Sequence, residues 1–200
     1  MHTRFKNAIF LIAACAISTG ASAHIVVGTY AHSGLLAGFL HPLNGLDHLA
    51  AMVTVGLWSA LAARRAGPEL LWGPVGFASL LMVGAAMGLQ GVTLPAVEPM
   101  IAASLLVTGL LVATRLRVPG VAAALLVGVF AVFHGLAHGI ELAGNANALQ
   151  TLAGMLAATV LLHAVGLAIG WALRGRNVWV PRAAGATVAL FGTGLLAQLA

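Results

Sequence analysis

The sequence predicts an all-α, polytopic membrane protein with six transmembrane helices after a cleaved signal peptide. Of its 200 residues, 61% are hydrophobic and only 6% are charged. The mean hydropathy is +1.05, and long apolar segments alternate with short breaks. Apolar stretches of about 20 residues are typical of membrane-spanning helices. We therefore expect a signal peptide at residues 1–23 and a single six-helix membrane domain at residues 24–200.

The N-terminal stretch "MHTRFKNAIFLIAACAISTGASAH" has a basic start, an apolar middle and the small-x-small end Ala21–Ala23. This pattern is typical of a secretory signal and predicts cleavage before His24. An uncleaved first helix and a lipoprotein-type site at "IAAC" are the alternatives, and all three place His24 outside the cytoplasm. Cys15 is the only cysteine, which excludes a disulfide framework and a cysteine-based zinc site.

Six apolar segments follow, and each is long enough to cross about 30 Å of hydrocarbon as a helix. Their limits are Leu35–Ala63, Leu70–Leu89, Ala96–Thr114, Val118–Gly139, Ala148–Leu173 and Val178–Leu199. Small residues at four-residue spacing favour close helix packing in lipid. These pairs are Gly34/Gly38, Gly84/Gly88, Gly135/Gly139 and Gly166/Gly170.

Arginines mark alternate breaks. They are Arg64 and Arg65, then Arg115 and Arg117, then Arg174, Arg176 and Arg182. The other breaks, "QGVTLP" and "IELAGNAN", contain neither lysine nor arginine. Since cytoplasmic loops are enriched in these residues, the pattern predicts a multi-pass protein of the bacterial inner membrane with both mature termini in the periplasm.

The positive charge does not indicate nucleic-acid binding, because the arginines are spread over short breaks and form no basic face. The chain has no phosphate-binding loop, and its only lysine is Lys6. We therefore expect neither nucleic acid nor ATP as a partner. Membrane lipid is an expected partner, and the sequence leaves the oligomeric state open.

Two polar clusters fall at the same predicted depth. At about 1.5 Å per helical residue, Asp47 and His48 lie about 25 Å above the cytoplasmic boundary. His134 lies about 24 Å and His138 about 30 Å above it. The spacing of His134, His138 and Glu141 puts them on one helical face. In the stretch "HPLNGLDH", Pro42 and Gly45 make a regular helix doubtful.

A charged side chain facing lipid costs about 2.5–3.5 kcal/mol on insertion scales, so carboxylates in this region need partners. Asp47, Glu98 and Glu141 have only histidines as basic neighbours at this depth, and a bound cation would supply the missing charge. Imidazole with carboxylate suits nickel, cobalt or zinc better than magnesium or calcium. The predicted metal ligands are His41, Asp47, His48, His134, His138 and Glu141, with His32, Glu98 and His163 as additional ligands or relay residues.

The same residues allow structural interpretations. Asp47 and His48 can form a pair that only stabilises the turn, and His163 can be a hydrogen-bonded histidine inside the bundle. His138 and Glu141 can be interface residues, and His24 and His32 can be solvated. Among functions, the alternatives are an intramembrane zinc-dependent hydrolase, a haem protein with two histidine ligands, and a metal sensor.

Four stretches resemble the HupE/UreJ family: "HPLNGLDHLAAMVTVGLWSA" and "FHGLAHGIE", its two signature motifs, and also "AHSGLLAGF" and "LPAVEPMIAASLLVTGLL". The resemblance covers essentially the whole mature chain. It implies a secondary permease, not an enzyme, that takes up nickel or cobalt to supply hydrogenase or urease. By motif match, the first signature contributes His41, Asp47 and His48, and the second His134, His138 and Glu141; Glu98 corresponds to an acidic position of the third span. The metal is the transported ion, with no permanently bound cofactor.

Overall fold

The computed structural model describes residues 33–200, so the predicted signal peptide, His24 and His32 lie outside the described residues. This part of the chain is all-helical, as predicted, with seven α-helices and one short 3₁₀ turn at Pro68–Leu70. The helices are α1 (Leu35–Asn44), α2 (Leu46–Ala62), α3 (Trp72–Leu89), α4 (Val97–Thr114), α5 (Gly120–Glu141), α6 (Ala148–Leu173) and α7 (Trp179–Gln198).

Five of these helices, α3 to α7, are long and apolar enough to cross a membrane. The segment predicted as the first span, Leu35–Ala63, differs from the prediction because it consists of two helices that meet at 85°. The break lies at Gly45, whose extended backbone (φ −94°, ψ 114°) interrupts the helical hydrogen bonding. Pro42, in contrast, is accommodated inside α1. A sixth span exists if α1 and α2 are counted as one broken span.

The helices pack as pairs, and these pairs position the polar clusters. The most extensive contacts are α3 with α5, α4 with α7, and α2 with α6, while α1 also packs on α6. At the α3–α5 contact, a Cβ at Gly135 would collide with the backbone of Leu81, and one at Gly139 with the backbone of Ala85. This contact confirms the predicted close packing at Gly135/Gly139 and fixes the depth of the neighbouring histidines on α5.

The end of the bundle that carries the arginines is held by hydrogen bonds between elements. The Arg174 guanidinium donates to the carbonyl oxygens of Ala63 and Arg64, the latter at 3.1 Å. The Trp58 indole N–H donates to the carbonyl of Leu116 at 2.8 Å. A cavity of about 330 Å³ opens at this end, between the C-terminal part of α2 and the N-terminal parts of α3 and α5.

Candidate metal site

Four imidazole rings meet at the end of the bundle opposite to the arginines. They come from three helices: His41 from α1, His48 from α2, and His134 and His138 from α5. The centroid of the His48 ring lies 4.8 Å from that of His138 and 5.2 Å from that of His134. His41 lies 4.9 Å from His138 and 6.0 Å from His48. Residues nearly 100 positions apart in the chain therefore form one cluster, which we call the histidine cluster.

The bend at Gly45 creates half of this cluster. In a continuous helix, His41 and His48 would be separated by about 10 Å along the axis. The 85° bend sets α1 nearly perpendicular to α2, and the His41 ring lies 6.0 Å from that of His48. The bend therefore places His41, one of the predicted metal ligands, within contact of His48 and His138.

Asp47 and His48 form a side-chain pair at the start of α2. The Nδ1 atom of His48 lies 3.0 Å from Oδ1 of Asp47. Because an ionised carboxylate only accepts hydrogen bonds, Nδ1 is the donor and the neutral ring keeps its lone pair on Nε2. Carboxylates that hold metal-binding histidines in this way orient the ring and make it a better ligand. The pair is thus compatible with both a structural and a metal-positioning role.

The histidine cluster contains buried nitrogens without hydrogen-bond partners among residues 33–200. They are Nε2 of His48, Nδ1 of His134, and both ring nitrogens of His138. His134 is fully buried and His138 is 3% exposed. A buried polar atom without a partner costs about 1–3 kcal/mol, so this concentration at one place is unfavourable unless another group occupies it. Lone pairs of neutral imidazoles are suitable ligands for borderline divalent ions.

His41, His138 and Glu141 come closest to a metal-binding arrangement. One ligand atom from each lies within 4.8 Å of the other two, compared with about 4 Å between opposite ligands around an ion with bonds of ~2.1 Å. Oε2 of Glu141 lies 3.9 Å from Nδ1 of His138. Glu141 is exposed whereas His138 is buried, so the carboxylate lies at the mouth of the cluster and the imidazoles line its interior.

Ser104 of α4 is a contact of the cluster that the sequence does not reveal. Its hydroxyl oxygen lies 3.0 Å from Nε2 of His134 and 2.6 Å from the carbonyl oxygen of Ile101. Ser104 is 1% exposed. Serines in membrane helices commonly bond to their own backbone, so neither its residue type nor its position in the sequence distinguished it from other small helical residues.

His163 lies deeper and is separated from the cluster by an aromatic side chain. The Phe77 ring is in contact with both histidines, at 5.6 Å from His134 and 5.3 Å from His163. Phe77 is 1% and His163 2% exposed. Nε2 of His163 has no hydrogen-bond partner in the described part of the chain. The interpretation of His163 as a hydrogen-bonded bundle histidine therefore receives no support from this ring nitrogen.

Glu98 is not brought into the cluster. Glu98 lies in the first turn of α4, at the same end of the bundle, but it takes part in none of the ring contacts or ion pairs found within residues 33–200. His32 lies outside the described residues. All arginines of the described chain follow α2, α4 or α6 or precede α7, so they lie at the opposite end and leave the cluster without a fixed positive charge.

Comparisons with known proteins agree with the signature motifs. The family model described as "HupE / UreJ protein" matches residues 12–195. A curated relative, "Protein HupE" of Rhizobium leguminosarum bv. viciae, is 43% identical over 195 residues, which cover 96% of this chain and 98% of the relative. No solved structure matches the chain. Both matches include the two segments that form the histidine cluster.

Proposed function

Because the chain belongs to the HupE/UreJ family, we propose that it is a secondary transporter that takes up a divalent transition-metal ion, nickel above all, from the periplasm. The family resemblance is to permeases for nickel or cobalt that supply hydrogenase or urease. The protein would reside in the bacterial inner membrane with both mature termini in the periplasm. The observation that carries the proposal is the histidine cluster, with its buried, unpartnered ring nitrogens at one end of the bundle.

The chemistry of the cluster suits a hydrated divalent cation. An ion that enters from the periplasm meets the Glu141 carboxylate first and then His41 and His138, whose ligand atoms lie within 4.8 Å of one another and of Glu141. His48 and His134 lie immediately below, with Asp47 supplying negative charge. Exchange of water for imidazole nitrogen is favourable for nickel, cobalt and zinc. The selection of nickel rests on the family resemblance.

Passage beyond the cluster requires a rearrangement. Phe77, which is buried, contacts both His134 of the histidine cluster and His163. We propose His163 as a relay ligand that an ion reaches once Phe77 has moved. A doubly charged ion moving inward down about 100 mV gains about 4.6 kcal/mol, twice the ~2.3 kcal/mol per elementary charge. The membrane potential alone can therefore drive uptake.

Accumulation of radioactive nickel by cells tests the proposal. Cells that express the wild type should accumulate nickel, whereas Asp47→Ala and His134→Ala at equal membrane levels should lose most of it. Thr159→Val is the matched control, because Thr159 is fully buried and bonds only to its own helix at the Met155 carbonyl. This variant should transport normally. A wild type that moves no divalent metal would refute the function.

His163→Ala separates binding from passage. We expect this variant to bind nickel as tightly as the wild type, because Phe77 separates His163 from the cluster, but to transport it poorly. Equilibrium dialysis of the purified proteins alongside the cell assay provides the comparison. Normal transport by His163→Ala would show that His163 does not take part in passage of the ion.

A purified protein that cleaves peptide or amide substrates in a zinc-dependent manner would instead favour the hydrolase alternative.

A further inference from the structure

We infer that Ser104 is a positioning residue that selects the nitrogen through which His134 binds the transported metal. The inference rests on the proposed function only in taking His134 as a metal ligand. The tautomer that Ser104 imposes on His134 is a property of the metal-free protein. Neither signature motif includes Ser104, because it lies on α4, between Glu98 and the arginines that follow that helix.

Two distances from one oxygen atom determine the direction of the hydrogen bonds. The Ser104 hydroxyl lies 2.6 Å from the Ile101 carbonyl oxygen, and a carbonyl oxygen can only accept. An oxygen–oxygen contact at this distance is repulsive unless a hydrogen lies between the atoms. The single hydroxyl hydrogen of Ser104 is therefore committed to Ile101.

The hydrogen in the second contact must then come from histidine. Nε2 of His134 lies 3.0 Å from the same serine oxygen, which has only lone pairs left on that side. Nε2 thus carries the hydrogen and donates it. In a neutral imidazole one nitrogen is protonated and the other is not, so Nδ1 of His134 keeps the lone pair. This is the nitrogen that is buried without a hydrogen-bond partner among residues 33–200.

Burial of Ser104 and His134 keeps the ring of His134 in this tautomer. Ser104 is 1% exposed and His134 is fully buried, so solvent is not in contact with either group to exchange one tautomer for the other. Phe77 covers the His134 ring at 5.6 Å and limits its rotation. Metal-binding histidines generally donate their second ring N–H to a neighbouring group, which fixes the ring and its tautomer. Ser104 plays this role for His134, as Asp47 does for His48 through the opposite nitrogen.

His48 and His134 therefore carry their ring hydrogens on opposite nitrogens. His48 donates through Nδ1 and offers Nε2, while His134 donates through Nε2 and offers Nδ1. Their ring centroids are 5.2 Å apart and their planes are perpendicular. The imidazoles thus present their lone pairs before any ion arrives, which avoids a tautomer change during binding.

Nitrogen-15 NMR of the metal-free protein, labelled at the histidine rings, tests the inference directly. The chemical shifts of protonated and unprotonated ring nitrogens are well separated. In the wild type, His134 should show a protonated Nε2 and an unprotonated Nδ1, with the signal assigned by its loss in His134→Gln. In Ser104→Ala, both tautomers should become populated. A wild-type His134 protonated on Nδ1, or a spectrum unchanged by Ser104→Ala, would overturn the inference.

Nickel binding supplies the functional measurement. Loss of an outer-shell partner typically costs 10–100-fold in metal affinity, and we expect Ser104→Ala to weaken Ni²⁺ binding by about this factor in equilibrium dialysis. Thr159→Val, which removes a buried hydroxyl that bonds to the Met155 carbonyl of its own helix, should bind Ni²⁺ like the wild type. Equal affinity in Ser104→Ala and the wild type would contradict the role. Absence of Ni²⁺ binding by the wild type would refute the proposed function, whereas the tautomer measurement would still decide the role of Ser104.

Discussion

At the scale of single residues, the polar groups around the histidines matter as much as the histidines themselves. Asp47 holds His48 through Nδ1, and Ser104 holds His134 through Nε2. His138, in contrast, has no hydrogen-bond partner on either nitrogen within the described chain. It is also in ring contact with both His41 and His48. Packing against these rings, and not hydrogen bonds to its ring nitrogens, therefore positions His138.

The Asp47 carboxylate should contribute charge as well as a hydrogen bond. Asp47→Asn keeps an acceptor for the His48 N–H but removes the negative charge, so we expect Ni²⁺ affinity to fall by about tenfold, at the lower end of the range for such partners. Asp47→Ala, which also loses the acceptor, should bind more weakly still. Isothermal titration calorimetry on the purified variants measures both. An Asp47→Asn protein with wild-type affinity would show that the charge is not required.

The sequence predicts much of this residue-scale arrangement, but not all. Equal depth and helical spacing indicate that the "HPLNGLDH" and "FHGLAHGIE" segments meet, and their histidines do lie together. Ser104 was not predicted, because a serine in an apolar helix carries no spacing signal. Glu98 shows that a predicted depth is not enough to identify a site residue. Depth alone places it at the correct end of the bundle, but depth does not specify which way a helix faces.

At the scale of helices, the break between α1 and α2 determines the shape of the site. Gly45 adopts an extended conformation that many residues can adopt, so its backbone angles do not require glycine. Space does. A Cβ at Gly45 would lie 3.0 Å from Oδ1 of Asp47 and 3.4 Å from Nδ1 of His48. A side chain at Gly45 would therefore be in tight contact with the Asp47–His48 pair, which would have to shift by a few tenths of an ångström.

Gly45→Ala should consequently impair the site. The added methyl group must displace the Asp47 carboxylate or the His48 ring, so we expect Ni²⁺ affinity to fall at least tenfold while the protein remains folded, since the neighbours are side chains that can move. Gly194→Ala is the control, because nothing lies within 4 Å of a Cβ at that helical position. Wild-type Ni²⁺ binding by Gly45→Ala would mean that the pair is not part of the site.

The limits of the other helices were largely predictable. The segment Ala148–Leu173 coincides with α6, and Ala96–Thr114 differs from α4 by a single residue. Long apolar runs bounded by arginine, proline or glycine define such helices without knowledge of their neighbours. The break at Gly45 agrees with the doubt that Pro42 and Gly45 raise about a regular helix, whereas these signals do not give its angle of 85°. Pro42, the other residue of this stretch that disfavours a helix, lies inside α1.

At the scale of the whole molecule, the bundle has two chemically different ends. The histidine cluster, Asp47, Glu98 and Glu141 lie at one end, and the arginines, Glu69 and a cavity of about 330 Å³ lie at the other. The buried residues Phe77 and His163 lie between them. An ion held by the histidine cluster is thus separated from the arginine-bearing end by a packed core, which is the arrangement expected of a transporter closed on one side.

X-ray absorption spectroscopy of the purified protein loaded with nickel can show whether imidazoles from separate helices bind one divalent ion. We predict a mononuclear Ni²⁺ with nitrogen and oxygen ligands and the outer-shell scattering of several imidazoles. This scattering should diminish in His48→Ala and again in His138→Ala, which remove ligands from α2 and α5. Nickel without imidazole scattering, or a spectrum that neither substitution changes, would show that these imidazoles do not bind the ion together.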